Sequence, residues 1–211
     1  MPKQSLILIG GGGHCKSVLE VIRTSGKWHV AGILDRKELV GTNLLDQKII
    51  GTDENLDALV AAGHHFLITI GQIKSAQPRQ RIYDALLTRG APLATVIADE
   101  RTVSAYATIG AGTVIHHRVS VNADVTIGQN CIINTGANVE HDCSVGNHTH
   151  ISTGVLLNGN VVVGDACMLG SGSIVSHGVK ITENTVVGAG ALVIRDITVP
   201  GTYAGVPCKK I

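Results

Sequence analysis

The chain has 211 residues, enough for one domain or two modest ones and for a sizeable buried core. A formal net charge of +1 gives no electrostatic reason to expect nucleic acid or an anionic membrane surface as partner. No run approaches the roughly 20 apolar residues of a membrane span. Aromatic residues make up only 2 % of the chain against 26 glycines, which points to a narrow interior of small and aliphatic side chains.

Taken in order, Ser5 to Ile9 is a continuous apolar run that stops at Gly10-Gly11-Gly12-Gly13. It reads as a buried strand rather than a signal peptide. His14 opens a helical pattern through Val18, Val21 and Ile22 that Gly26 closes, and a second strand, Val30 to Leu34, ends in Asp35. A helix from Glu54 to Ala62, a strand from Phe66 to Ile70 and a helix from about Arg79 to Thr88 follow. Strands alternating with helices imply a small parallel α/β sheet, Rossmann-like, over residues 1–92. Gly90-Ala91-Pro92 marks the boundary to a second domain, 93–211. The strand, glycine loop, helix and distal acid imitate a dinucleotide fingerprint. The third glycine position, however, is Cys15 or Lys16 depending on the starting glycine, and only half of a dinucleotide fold is available. A mononucleotide or nucleotide sugar fits that size better than NAD.

From Val103 to Val193 every sixth residue is aliphatic, and the residue four places after each is small or β-branched, as at Ala107, Thr113, Cys131, Cys143 and Cys167. A period of six is neither helical nor the alternation of a simple strand, and hexapeptide repeats are a signature of the parallel β-helix. Three hexads make one coil of eighteen residues, which gives about five coils. Residues eighteen apart then stack, as in the column Gly110, Gly128, Gly146 and Gly164, where a turn would call for glycine's backbone freedom. Outward positions read as polar. Of the five cysteines, three sit at the small inward position and read as free thiols acting as small hydrophobes, which favours a cytoplasmic location.

Polar chemistry is concentrated in Asn134 to Asp142 and Asn147 to His150. His141 is outward and next to Asp142, and a histidine beside a carboxylate is a candidate general base. Gly159 and His177 share its column, one and two coils along, while His150 belongs to another face. His116, His117, His148 and His177 read as solvated, and no metal site is expected, because His148-Thr149-His150 has no Cys or carboxylate at zinc spacing.

Together these residues resemble a known family. The hexads, the run Leu8-Ile9-Gly10-Gly11-Gly12-Gly13-His14, Asp35, Ile70-Gly71-Gln72, Asn134-Thr135, Glu140-His141-Asp142 and Gly205-Val206-Pro207-Cys208-Lys209 resemble the bacterial sugar acyltransferases with a left-handed β-helix. These include sialic acid O-acetyltransferases and N-acetyltransferases of nucleotide-linked 4-amino sugars, as in bacillosamine synthesis. The resemblance implies a homotrimer with acetyl-CoA between adjacent β-helices and a nucleotide sugar, with UDP as the expected nucleotide, on the N-terminal domain. It implies His141 as general base with Asp142 as its partner. Asn134, His150 and the Gly159 amide would lie at the acetyl donor, and Gly12, Gly13, His14 and Asp35 at the nucleotide. Three departures stand out: Asp99-Glu100 replaces a frequent His-Pro, Arg36 replaces a second acid, and a longer stretch from Ile73 to Pro78 blurs a phosphate contact for Arg79.

The expected reaction is N-acetylation of a 4-amino-4,6-dideoxy sugar by direct transfer. O-acetylation of a nonulosonate and a non-catalytic, nucleotide-binding trimeric scaffold are the alternatives. The Glu140-His141-Asp142 cluster speaks against the scaffold.

Overall fold

The computed structural model describes residues 3–98 and 103–211, so Asp99 and Glu100 lie outside the described residues. The chain divides into two compact units. The first runs to Gly71 and resumes at Gln77–Val96; the second comprises Gln72–Ala76 and Ile97–Ile211.

In the first unit, β1 (Gln4–Ile9) lies inside the sheet and pairs in parallel with β2 (Trp28–Leu34). Leu6, Ile7 and Leu8 are fully buried, as expected of a parallel strand covered on both faces. α1 (Gly13–Ser25) buries Cys15, Val18, Leu19, Val21 and Ile22 and ends at Gly26 with φ 66°, a left-handed C-cap. A short antiparallel hairpin follows, β3 (Asn43–Leu44) and β4 (Gln47–Gly51), with β4 parallel to β2. The sequence reading lacks this hairpin. Its turn places Leu45 at φ 52°, a conformation that Gly or Asn would have announced and leucine conceals. α2 (Leu56–Ala61) follows a 3-10 turn at Asp53–Asn55. β5 (His65–Ile68) pairs with β1, and α3 (Gln77–Thr88) completes the unit, giving the order β3-β4-β2-β1-β5.

Arg79 is not at the surface. It is fully buried, and its guanidinium donates to the carbonyls of Ile68 (2.9 Å) and Ile70 (2.7 Å), so it braces the end of β5.

The second unit is a left-handed parallel β-helix. Its strands pair eighteen residues apart, for example Thr126 with Thr108 and Ser144, and Ile132 with Val114 and His150. Both hexad series point inward from Val119 to Ile197, where each member is at most 5 % exposed. Along one corner the small inward residues form a polar ladder. Thr113 Oγ1 donates to the Gly128 carbonyl (2.8 Å) and accepts from Cys131 N (3.0 Å). Cys131 Sγ donates to Gly146 O (3.1 Å), and Thr149 and Cys167 repeat the pattern two coils on. The cysteines are therefore free thiols that satisfy carbonyls as well as filling space.

Two expectations need correction. The Gly110, Gly128, Gly146, Gly164 column is not in the left-handed region; a Cβ on Gly146 would lie 2.6 Å from the backbone of Gly164 and Asp165, so close stacking of coils excludes it. The left-handed positions are three other columns, one per corner: Gly112 to Asn184, Arg118 to Gly190, and Asp124, Asp142, Asn160 and Gly178. Outward positions are also not uniformly polar. One sheet face carries Val114, Ile132, His150 and Met168, the first three buried.

Among the described residues no helix is long and apolar enough to cross a membrane. The two kinds of glycine give a paired test. Gly154→Ala meets no neighbour and loses roughly 1–2 kcal/mol to its left-handed φ of 66°. Gly146→Ala meets backbone and loses roughly 2–3 kcal/mol. Thermal melts of both variants should give Gly146→Ala the lower Tm, and the reverse order would refute the steric account.

Candidate functional site

Three groups of the expected residues are assembled by the fold. The first is the glycine loop of unit one. Gly10 has φ 102° and a Cβ there would lie 2.5 Å from Ile70 Cγ1, while Gly11 N donates to Asp35 Oδ2 (2.5 Å). Asp35 Oδ1 also accepts from Arg36 N (2.6 Å), so this carboxylate fixes the loop against the end of β2. Gly12 and Gly13 differ from their predecessors: open space lies where their side chains would be. They begin α1, whose N-cap has no side-chain bond and whose first turn has no acid. The positive end of a helix dipole attracts an anion. His14 follows directly, half-buried.

The second group stands at the β-helix corner between the strands Asn138–Val139 and Ser144–Val145. Asp142 occupies the left-handed turn position with φ 63°, one that Asp tolerates better than most residues. That conformation brings its Oδ2 to 2.7 Å from His141 Nδ1, with both side chains about half exposed (54 % and 55 %). Because a carboxylate accepts, Nδ1 carries the proton and Nε2 presents its lone pair. The bond to Asp142, with smaller help from Glu140, raises the His141 pKa above its ordinary value. Glu140 is held as a carboxylate by Asn138 Nδ2 (2.9 Å) and Asn122 Nδ2 (3.0 Å), which lower its pKa.

Gly159 lies one coil on, and a Cβ added there would be 2.7 Å from Nε2 and Cε1 of His141. Its own N–H donates no hydrogen bond among the described residues. Cys143 is inward, 1 % exposed, and its Sγ donates to Asn158 O (3.2 Å); burial raises its pKa, so it is no nucleophile.

The third group is at a different corner of the same coils. His150 is 8 % exposed, and its Nδ1 lies 2.7 Å from the Gln72 carbonyl. A carbonyl only accepts, so Nδ1 carries the proton, and Nε2 faces Asn134 Nδ2 at 3.3 Å. Asn134 Oδ1 takes Thr135 N (2.8 Å), which leaves its amide N–H for His150. Both ring nitrogens of His150 are thus engaged, whereas Nε2 of His141 is open. Gln72 Nε2 donates to Cys167 O (3.0 Å). Gln72 belongs to the motif Ile70-Gly71-Gln72 with no role legible from it, because its place on the β-helix depends on a long-range fold that spacing does not encode. A cavity of about 460 Å³ continues along this corner, bordered by Lys74, Gly170, Ser171 and Gly188.

His116 departs from the sequence reading. It is 1 % exposed, and burial, followed by the charges of His117 and His150, lowers its pKa to about 4. Its strand neighbours Val114 and Ile115 lie in the buried face, which the assumption of polar outward positions missed. His117 and His148 are half-buried, the latter with Nδ1 3.0 Å from Asn130 Nδ2, and His177 is exposed. Among the described residues no group of three His, Cys, Asp or Glu side chains is placed to hold a metal ion.

Comparison with family models matches the PglD N-terminal domain over residues 5–86 and the bacterial transferase hexapeptide (six repeats) over 124–159 and 160–195. Among solved structures, the acetyltransferase domain of PglB from Neisseria gonorrhoeae is 30 % identical, with a TM-score of 0.91 over 99 % of this chain and 100 % of that one. The same domain in complex with acetyl coenzyme A covers 100 % of both chains at 30 % identity and a TM-score of 0.91. PerB from Caulobacter crescentus, in complex with CoA and GDP-perosamine, is 35 % identical, with a TM-score of 0.90 over 98 % of this chain and 97 % of that one. A comparison with curated proteins finds no match. The chain belongs to the hexapeptide-repeat sugar acetyltransferase family, and it is an acetyltransferase.

Two variants test the His141 corner. Gly159→Ala should fold, since Gly159 lacks a left-handed φ, yet displace the imidazole; a fall in kcat of about 10-fold or more is expected with a near-native Tm. Undiminished kcat would mean the ring position is immaterial. In Asp142→Asn the carboxylate that raises the His141 pKa is gone. If unprotonated His141 is the active form, the acidic limb of the kcat–pH profile moves to lower pH while the plateau falls. An unmoved limb would break the link.

Proposed function

We propose that the chain transfers the acetyl group of acetyl-CoA directly to the amine of a nucleotide-linked 4-amino-4,6-dideoxy sugar, with His141 as general base. The observation that carries this reading is the open Nε2 of an imidazole whose Nδ1 is fixed by Asp142. The amine attacks the thioester carbon, a C–N bond forms and the C–S bond breaks. His141 takes the amine proton on Nε2 and returns it to the departing thiolate. The unbonded Gly159 N–H is suited to the oxyanion of the tetrahedral intermediate. A covalent acyl-enzyme is unnecessary to this scheme.

The uncapped start of α1 at Gly12, Gly13 and His14 suits the diphosphate of the acceptor, and Asp35 a ribose hydroxyl. Asn134, His150 and the cavity beside Gly170 and Gly188 suit the acetyl donor. His141 and the Asn134–His150 pair occupy different corners of one β-helix, so a second copy is required to bring base and donor together. That requirement supports a homotrimer with each site shared by two copies. PerB in complex with CoA and GDP-perosamine supports the pairing of a coenzyme A donor with a nucleotide amino sugar.

The test is thiol release from acetyl-CoA with UDP- and GDP-linked amino sugars, with the product identified by NMR. An N-acetyl sugar is expected. The uridine nucleotide implied by the resemblance predicts faster turnover of the UDP sugar, and the reverse preference would assign guanosine instead. His141→Ala should lower kcat by about 100-fold or more with little change in acceptor KM. Two perosamine N-acetyltransferase structures with a histidine replaced by asparagine or alanine still hold CoA and GDP-perosamine, which supports binding without the imidazole. Full activity of His141→Ala would remove it as the base.

A further inference from the structure

An amine acceptor sets a proton count that one base does not complete. A primary aliphatic amine is largely ammonium near neutral pH. It must lose one proton before its lone pair can attack and a second as the amide forms. His141 accounts for the second.

The column that holds His141 contains another imidazole. A Cβ on Gly159 would lie 2.7 Å from His141 Nε2 and 3.2 Å from His177 Nδ1. The two ring nitrogens are therefore no further apart than about two hydrogen-bond lengths. They stand this close because residue 159 has no side chain, since a Cβ there would crowd both rings. Backbone bonds fix the order of the column, since Asn160 N donates to His141 O (2.9 Å) and Gly178 N to Gly159 O (3.0 Å). Other charged groups flank the pair. Glu140 and Asp142 stand on the His141 coil, and Arg195 and Asp196 occupy the matching turn one coil beyond His177.

We infer that His177 is a second base of the same site, which takes the first proton from the ammonium form of the acceptor through Nδ1. This inference rests on the amine-acetylating reading above. The proton passes to solvent from the exposed ring of His177, and the neutral amine is left beside His141 Nε2 for attack on the thioester. The balance is one ammonium and one acetyl thioester giving one amide, one thiol and one proton released. The arrangement also gives Gly159 a reason beyond its amide: any side chain there would crowd both rings and displace the two bases.

The test compares wild type, His177→Gln and His177→Ala, with kcat/KM for the amine acceptor measured from about pH 6 to pH 9.5. The expected result is a loss of about 10-fold or more near pH 6.5 that narrows to within about twofold once the free amine is neutral in solution. KM for acetyl-CoA should be unchanged, and added imidazole should restore part of the low-pH activity of His177→Ala. A loss equal at every pH, or no loss near pH 6.5, overturns the inference. If the wild type turns over no amino sugar in the same assay, it is the proposed function that falls. His177 is exposed, so both variants should keep the native Tm, which separates the effect from unfolding.

Discussion

Hydrogen bonding between coils at a constant offset of eighteen residues is the constraint on which the second unit depends. Ile132 pairs with His150, His150 with Met168, and the same offset holds on all three sheets as far as Val193; only at the last turn does it fall to sixteen, where Val186 pairs with Thr202. Each coil is thus a template for the next, and no residue can be inserted without moving every side chain beyond it to a new face. The interior follows from this register. Only small or aliphatic side chains fit where three sheets converge, and the polar members at one corner are admitted because each finds a carbonyl of the neighbouring coil.

The same register builds the chemistry. A column is a way to bring residues distant in sequence into contact without a loop, and His141, Gly159 and His177 are such a set. The turn geometry contributes as much as the spacing. Asp142 can fix the imidazole only because its left-handed φ turns the carboxylate back toward the preceding residue. In a strand, adjacent side chains point to opposite faces and the pair would not form. The exposure of the pair leaves Nε2 accessible to a ligand, while His150, with the same protonated Nδ1, is closed by Gln72 and Asn134.

The first unit shows a different economy of sequence. Four consecutive glycines look like one motif, yet they are of two kinds. Gly10 and Gly11 are required by close approach of Ile70 and Asp35, whereas Gly12 and Gly13 face open space at a bare helix end. The second kind is the one that leaves room for a phosphate, and the distinction appears only when neighbours from β2 and the end of β5 are in place.

By itself the sequence determined the β-helix, its inward series and the position of His141 next to a carboxylate, because a strict period of six assigns a direction to every side chain. It also determined the alternating strands and helices of the first unit, although the β3–β4 hairpin escaped because Leu45 adopts a turn conformation its side chain does not advertise. The tertiary structure decided what periodicity leaves open. It buried His116 and the outward face around His150, engaged Gln72 with Cys167, and placed Arg79 under the end of β5 instead of at the surface. Those outcomes depend on what packs against an outward position. A local repeat specifies direction, but burial is set by residues far along the chain.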